Sequence, residues 1–159
     1  MKKCAITGGS RGLAQAWVKH FGNKQDWQIQ TFGQSTGYDL HKDLERVINQ
    51  SENSDLFINN AHDQQLQLKL LNHLHTSVKR MIVCGSVAAD DLAAHPDEPQ
   101  YGHNKRDLEW RTSHLIHNSP CDILYLKLSG TAYHNSKLIM HITDLWLNEG
   151  GFNQVHFNK

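Results

Sequence analysis

The sequence predicts an α/β protein in which a parallel sheet lies between two layers of helices. Short apolar runs of strand length alternate with segments of helical periodicity along the 159 residues. The strand-like runs are apolar throughout, which is typical of strands that are covered on both faces. Right-handed crossovers between such strands favour a doubly wound, three-layer α/β/α sandwich. The length suits a single domain over residues 1–159 with its own hydrophobic core.

The predicted strands and helices follow one another in regular order. The strands are Lys3–Thr7, Gln28–Phe32, a stub near Leu40, Leu56–Ile58, Arg80–Gly85, Ile123–Leu128 and Gln154–Phe157. Between them, helical spacing of apolar residues predicts helices over Leu13–Phe21, Leu44–Asn49, Gln64–Leu74, Gln100–His117 and Lys137–Leu147.

Composition argues against several classes of function. Sixteen basic and sixteen acidic residues balance, so nucleic acid is not an expected partner. No apolar run approaches the roughly 18 residues that span a bilayer, so no membrane association is expected. The basic and then apolar amino terminus is interrupted by Gly8-Gly9 before it reaches the length of a signal peptide. We therefore expect a cytoplasmic protein.

The cysteines and histidines predict neither a disulfide framework nor a metal site. Three cysteines in short apolar runs, with no C-x-x-C pair, suggest buried free thiols. Two close histidine pairs, His73-x-His75 and His114-x-x-His117, lack a cysteine or acidic ligand at a supporting spacing.

A glycine-rich turn joins the first predicted strand to the first helix. It reads Thr7-Gly8-Gly9-Ser10-Arg11-Gly12-Leu13-Ala14. Glycines let the backbone turn tightly and let a pyrophosphate approach the helix amino terminus, where free N–H groups favour an anion. Any tight strand-to-helix connection favours glycine, but the first such turn is also where dinucleotide-binding sheets hold their ligand.

Tyr101 and Lys105 stand four residues apart on a predicted helix and so share one face. An ammonium beside a phenol stabilises the phenolate, which makes the tyrosine a more effective acid–base group. Ser86 follows a buried strand, at the carboxyl edge where open α/β sheets bind ligands. Each feature alone also has an ordinary structural explanation.

Together these motifs resemble the short-chain dehydrogenase/reductase family. The turn is similar to the family's T-G-x-x-x-G-x-G, with Ala14 for the last glycine, and Tyr101 with Lys105 resembles its Tyr-x-x-x-Lys. Asp39-Leu40 resembles the pair that contacts adenine, and Asn59-Asn60-Ala61 resembles Asn-Asn-Ala-Gly, with His62 for the glycine. The motifs occur in family order along nearly the whole chain.

The resemblance implies a Rossmann-like oxidoreductase that transfers a hydride between a nicotinamide cofactor and a small carbonyl or alcohol substrate. It implies that Tyr101 is the general acid/base and that Ser86 binds the substrate oxygen. Asn72 is the candidate for the family's catalytic asparagine, and a dimer or tetramer is expected. The implied cofactor-binding residues are Thr7, Gly8, Ser10, Arg11, Gly12, Leu13, Ser35, Asp39, Leu40, Asn60, Ala61, Tyr101, Lys105, Gly130 and Thr131.

The resemblance also implies NADP(H) as the preferred cofactor, with NAD(H) possible. NAD-preferring members carry an acidic residue after the second strand, where this chain reads Thr31-Phe32-Gly33-Gln34-Ser35. A small hydroxyl at Ser35 and the guanidinium of Arg11 suit a 2′-phosphate. A solvated Arg11 is the alternative.

This chain is much shorter than typical members, with its compression between Asn60 and Ser86. The segment Leu128-Ser129-Gly130-Thr131 stands where the family has Pro-Gly, and little chain follows it. We therefore expect an open pocket or one completed by a neighbouring subunit. Two other functions remain open: a nucleotide-sugar epimerase or dehydratase, and a non-catalytic NAD(P)-binding sensor or interaction protein.

Overall fold

A six-stranded, all-parallel sheet forms the centre of the protein in the computed structural model, which describes residues 1–63, 65–90, 99–130 and 135–157. Its strands are β1 (Lys2–Thr7), β2 (Trp27–Phe32), β3 (Leu56–Asn59), β4 (Arg80–Ser86), β5 (Asp122–Leu128) and β6 (Gln154–His156). Their spatial order is β2-β1-β3-β4-β5-β6. The order reverses beside β1, which leaves a crevice at the carboxyl ends of β1 and β3.

In the part of the chain that the structure describes, five α-helices cover the sheet: α1 (Gly12–Gly22), α2 (Leu44–Ser51), α3 (Leu66–Leu74), α4 (Pro99–Asn118) and α5 (Ser136–Glu149). Apolar residues of α1 and α5 pack against one face of the sheet, and those of α2, α3 and α4 pack against the other. Alternate residues of one strand reach opposite cores because successive side chains point to opposite faces. In β1, for example, Cys4 and Ile6 face α1, whereas Ala5 faces the α2–α4 layer.

The structure confirms the predicted α/β fold, and the ends of the predicted elements differ from the observed ones by at most two residues. It differs near Leu40, where a strand stub was expected. Residues 37–43 form turns instead. The Asp39 carboxylate accepts the backbone N–H groups of His41 and Lys42, so the backbone follows a local turn rather than a sheet ladder. Among the described residues, no helix is both long and apolar enough to cross a membrane.

Close packing between β4 and β5 fixes the shape of the sheet where β4 ends. Gly85 lies beneath the ring of Tyr125, and a Cβ atom at Gly85 would overlap the Oη and Cζ atoms of that tyrosine. The Tyr125 side chain is buried, and its hydroxyl has no hydrogen-bond partner in the described part of the chain. Glycine is required at position 85 because of this close approach.

Replacing Gly85 by Ala should therefore lower the free energy of unfolding by about 2 kcal/mol, because the core must shift to accept the methyl group. Urea unfolding monitored by circular dichroism measures the change. Gly22→Ala is the matched control: its Cβ would make an ordinary 3.7 Å contact with Ile29 Cδ1. It should leave stability unchanged or raise it by about 0.5 kcal/mol. Equal effects of the two substitutions would contradict the packing argument.

Candidate active site

Two cavities lie at the carboxyl edge of the sheet and share Asn60 and His62. The larger has a volume of about 570 Å³ and the smaller about 270 Å³. We call them the cofactor cleft and the catalytic cavity, after the roles that the sequence resemblance implies for the residues that line them. The cofactor cleft is lined by Gly8, Gly9, Ser10, Arg11, Ala14, Gly33, Gln34, Ser35, Tyr38, Asp39, Leu40, His41, Asn60, Ala61, His62 and Asp63. The catalytic cavity is lined by Asn60, His62, Cys84, Gly85, Ser86, Val87, Tyr101, Lys105, Leu128, Ser129 and Gly130.

The glycine turn forms one wall of the cofactor cleft. Gly9 has a φ of +126°, and a Cβ atom there would come within 2.9 Å of Thr31 Cγ2, so the turn requires glycine. Among the described residues, no side chain caps the amino terminus of α1, which begins at Gly12. Its first backbone N–H groups have no partner within the helix and favour an anion at that end. Leu13, in contrast, packs into the hydrophobic core.

The Thr7 side chain makes hydrogen bonds that hold part of the cleft in place. It is fully buried, and its hydroxyl donates to the carbonyl of Ile58 at 3.3 Å. The same hydroxyl oxygen accepts the backbone N–H groups of Asn60 and Ala61, both at 3.0 Å. Thr7 thus joins β1 to the segment after β3 and sets the position of Asn60 and Ala61 in the cleft.

Arg11, which follows β1, and Ser35, which follows β2, line the same cleft. Both are exposed, and among the described residues Arg11 has no ion-pair or hydrogen-bond partner for its guanidinium. Gly33 and Gln34, the residues directly after β2, bring no carboxylate to this end of the cleft.

The far end of the cofactor cleft carries Asp39, Leu40, His41 and Asp63. A contact between His41 Nε2 and the Asp63 carboxylate joins the loop after β2 to the loop after β3. Hydrogen bonds from the backbone N–H of Lys42 lower the pKa of Asp39, so this exposed carboxylate is charged at neutral pH.

Tyr101 and Lys105 lie in the first turns of α4 and reach the catalytic cavity together. The Lys105 Nζ atom is 5.7 Å from the centre of the Tyr101 ring. Lys105 is only 4% exposed. Its ammonium donates to Gln67 Oε1 at 2.6 Å and to the carbonyl oxygen of Cys84 at 3.1 Å.

Gln67 is the residue that the sequence analysis missed. It is buried in α3, and its Nε2 donates to the carbonyls of Asn59 and Cys84 at 2.7 and 3.0 Å. It therefore connects β3, β4 and the Lys105 side chain. The available signal was a polar residue on an apolar face, because Gln67 stands three, four and seven residues before the buried Leu70, Leu71 and Leu74.

The structure does not bring Asn72 into this cluster. Asn72 lies on the exposed side of α3, and its Oδ1 accepts a 2.7 Å hydrogen bond from Arg111 Nε. Five residues separate Asn72 from Gln67, which on a helix places the two side chains on different faces.

Ser86 ends β4 and lines the catalytic cavity with Tyr101. Its Oγ accepts the backbone N–H of Ala88 at 3.2 Å, which leaves the hydroxyl proton available to another acceptor. Gly130 also lines the cavity. Thr131, the other residue expected in that turn, lies outside the described residues.

His62, which stands where the family motif has glycine, covers Tyr101. The two rings are nearly perpendicular, at 82°, with their centres 4.5 Å apart. Desolvation and the neighbouring Lys105 ammonium lower the pKa of His62 to about 4, although Asp63 opposes the shift. The imidazole at the junction of the two cavities is therefore neutral at physiological pH.

Within the described ranges, no three His, Cys, Asp or Glu side chains converge in a way that holds a metal ion.

Comparison with known proteins gives matches in structure only. No protein-family model matches the sequence, and no curated protein does. An oxidoreductase of the short-chain dehydrogenase/reductase type from Brucella ovis superposes with a TM-score of 0.69 and 16% identity, over 99% of this chain and 100% of that one. The chain has the fold of the short-chain dehydrogenases/reductases.

Two similar structures contain a nicotinamide cofactor. A 3-alpha-hydroxysteroid dehydrogenase from a Pseudomonas species, complexed with NADH, has a TM-score of 0.69 and 11% identity over 98% of this chain and 94% of that one. A second Brucella ovis oxidoreductase structure, with a partially ordered NAD, has a TM-score of 0.67 and 17% identity over 99% of both chains. At these identities the likeness concerns the fold.

The buried ammonium predicts a pH-dependent stability. Burial lowers the pKa of Lys105 from 10.5 to about 8, against a small opposing effect of Cys84. At a pH between about 8 and 10.5, Lys105 is protonated in the unfolded chain but deprotonated in the folded chain. The free energy of unfolding therefore rises with pH in this range. The unfolding free energy of the wild type should rise relative to Lys105→Met, by on the order of 3 kcal/mol across the window.

Urea unfolding at several pH values between 7 and about 10.5 measures this difference. Lys69→Met, on the exposed side of α3, is the control and should leave the slope unchanged. Parallel curves for the wild type and Lys105→Met would show that the ammonium is not destabilised by burial.

Proposed function

We propose that this protein is an NADP(H)-dependent oxidoreductase that interconverts a small carbonyl compound and the corresponding alcohol. The observation that carries the proposal is the meeting of Tyr101, Lys105 and Ser86 around one cavity. That cavity adjoins a cleft at the amino terminus of α1 whose size and lining suit a dinucleotide.

The cleft fits a nicotinamide dinucleotide on chemical grounds. The uncapped amino terminus of α1 suits the pyrophosphate, and Asp39 and Leu40 would contact the adenine end. Arg11, which is free of partners among the described residues, would bind a 2′-phosphate together with Ser35. The cofactors in the Pseudomonas and Brucella structures support a nicotinamide group, and the preference for NADP(H) rests on Arg11 and the missing carboxylate after β2.

The bound nicotinamide would supply or accept the hydride. In the direction of reduction, the Tyr101 hydroxyl donates a proton to the substrate oxygen, and the Ser86 hydroxyl donates a hydrogen bond to the same oxygen. Loss of that proton leaves a phenolate on Tyr101. The Lys105 ammonium, close to the ring, stabilises this charge.

Gln67 takes the place that we had expected an asparagine to hold. A buried ammonium needs hydrogen-bond acceptors, and Gln67 Oε1 and the Cys84 carbonyl provide two. The third Lys105 proton is then left for the cofactor ribose. We assign to Gln67 the orientation of Lys105, and to Asn72 only a surface contact with Arg111.

Tyr101→Phe should reduce kcat by about 10² to 10⁴-fold, because it removes the group that donates the proton. NADPH affinity, measured by quenching of tryptophan fluorescence, should change little. Turnover is followed by NADPH absorbance with a panel of small aldehydes and ketones. Tyr125→Phe is the control: it removes a buried hydroxyl that has no partner among the described residues and should retain activity.

Either of two results would count against an enzyme. Unchanged turnover in Tyr101→Phe would remove the tyrosine from the chemistry. A wild-type protein that binds NADPH but reduces no carbonyl compound would favour the sensor or interaction protein over the oxidoreductase.

Arg11→Ala should weaken NADPH binding by about tenfold to a hundredfold, because it removes a charge-assisted contact with the 2′-phosphate. Binding of NADH, which lacks that phosphate, should change less than threefold, roughly. Titrations of both cofactors measure the effect, with Lys19→Ala as a control for loss of one exposed charge on α1. Equal weakening for both cofactors would contradict the NADP(H) preference.

A further inference from the structure

A second buried lysine lies on β5, behind the catalytic cavity. Lys127 is 6% exposed and shares its strand face with Ile123 and Tyr125, so its side chain points towards the α4 layer. Its Nζ atom donates to Asp90 Oδ1 at 2.6 Å and to the Glu109 carboxylate at 2.9 and 3.2 Å. Lys127 is absent from the lining of both cavities.

Each of the two carboxylates is close in sequence to a proposed catalytic group: Asp90 to Ser86, and Glu109 to Tyr101 on α4. Asp90 follows the short 3₁₀ helix Val87–Ala89, which begins directly after Ser86. Glu109 lies on α4, eight residues, or about two turns, after Tyr101. One ammonium therefore ties the segment behind Ser86 and the helix of Tyr101 to the same point on β5.

Further contacts extend this tie to the serine itself. Arg106, also on α4, donates from Nε to the carbonyl of Ala89 at 2.9 Å. The Ala88 N–H donates to Ser86 Oγ, so the position of the 3₁₀ helix sets the direction of the serine hydroxyl. A displacement of Asp90 would be transmitted over four residues to the oxygen that meets the substrate.

The charge on Lys127 is permanent at physiological pH. Burial lowers the pKa of Lys127, but hydrogen bonds to Asp90 and Glu109 outweigh it, and the pKa is raised. Only the lysine of this cluster is buried, since the side chains of Asp90 and Glu109 are 66% and 26% exposed. Such ion pairs are weak evidence for stability, because solvent screens them and removing the ammonium from water offsets much of the attraction. What such a pair does provide is a directional constraint between the elements it joins.

We propose that Lys127 is a positioning residue for the oxidoreductase reaction: by holding Asp90 and Glu109 together, it sets Ser86 opposite Tyr101. The proposal rests on the proposed function for its catalytic consequence. Its geometric part, the tie between the 3₁₀ helix and α4, is measurable without turnover.

The experiment compares Lys127→Met with Lys127→Arg. Methionine fills the space without the charge, and arginine restores a cation that binds both carboxylates. For Lys127→Met we expect kcat to fall about tenfold to a hundredfold, with NADPH affinity within about twofold of the wild type. Lys127→Arg should recover at least half of the lost kcat on a logarithmic scale. Amide hydrogen exchange at Ala88, followed by NMR, should accelerate in Lys127→Met.

Lys24→Met is the matched control, because Lys24 is ion-paired with Asp144 at the opposite edge of the sheet. Lys24→Met should change the free energy of unfolding but neither kcat nor amide exchange at Ala88. The proposal would be overturned if Lys127→Met had the same kcat and the same Ala88 exchange rate as the wild type. It would also be overturned if kcat fell only in proportion to the fraction of folded protein. No rescue by arginine would also overturn it.

If Lys127→Met does not fold, Asp90→Asn provides the same test, because it leaves the Lys127–Glu109 pair in place. We expect faster exchange at Ala88 and a lower kcat, and unchanged values for both would overturn the proposal. Failure of the proposed function is recognised separately, since it appears as a wild-type protein without turnover. Failure of the positioning role appears as variants that retain wild-type turnover and exchange.

Discussion

The buried ammonium of Lys105 is the constraint on which the candidate active site depends. A charge removed from water is costly unless it is hydrogen-bonded, and here the acceptors are Gln67 Oε1 and the Cys84 carbonyl. Gln67 is in turn bound to the Asn59 carbonyl. The need to satisfy one cation therefore fixes the relative positions of α4, α3, β3 and β4.

Two buried lysines on the α4 side of the sheet, Lys105 on α4 and Lys127 on β5, show how hydrogen-bond partners decide the pKa of a buried ammonium. Both are less than a tenth exposed. Lys105 contacts neutral oxygens, burial dominates, and its pKa falls to about 8. Lys127 contacts two carboxylates, which outweigh burial, and its pKa rises. The first lysine thus lies within reach of proton chemistry near neutral pH, whereas the second is a fixed structural charge beside it.

The sequence predicted those parts of the site that depend on neighbours along the chain. The four-residue spacing of Tyr101 and Lys105 and the glycine turn before α1 are local patterns, and a helix or a turn converts them directly into geometry. The role expected for Asn72 required the register of α3 relative to α4, which no local pattern contains. In the structure the α3 side chain that contacts Lys105 is Gln67, because its face of α3 packs against the sheet.

The sequence by itself determined the order of strands and helices, their two-sided burial and the turn that suits a dinucleotide, since hydrophobic periodicity and glycine act over a few residues. Only the tertiary structure decided which polar groups meet. Lys105 donates a hydrogen bond to Gln67, which is 38 residues away in the sequence, and Lys127 donates one to Asp90, which is 37 residues away. The rings of His62 and Tyr101, also distant in the sequence, are in contact. Such contacts arise when parallel strands bring their carboxyl ends to one edge, where residues distant in sequence share one small volume.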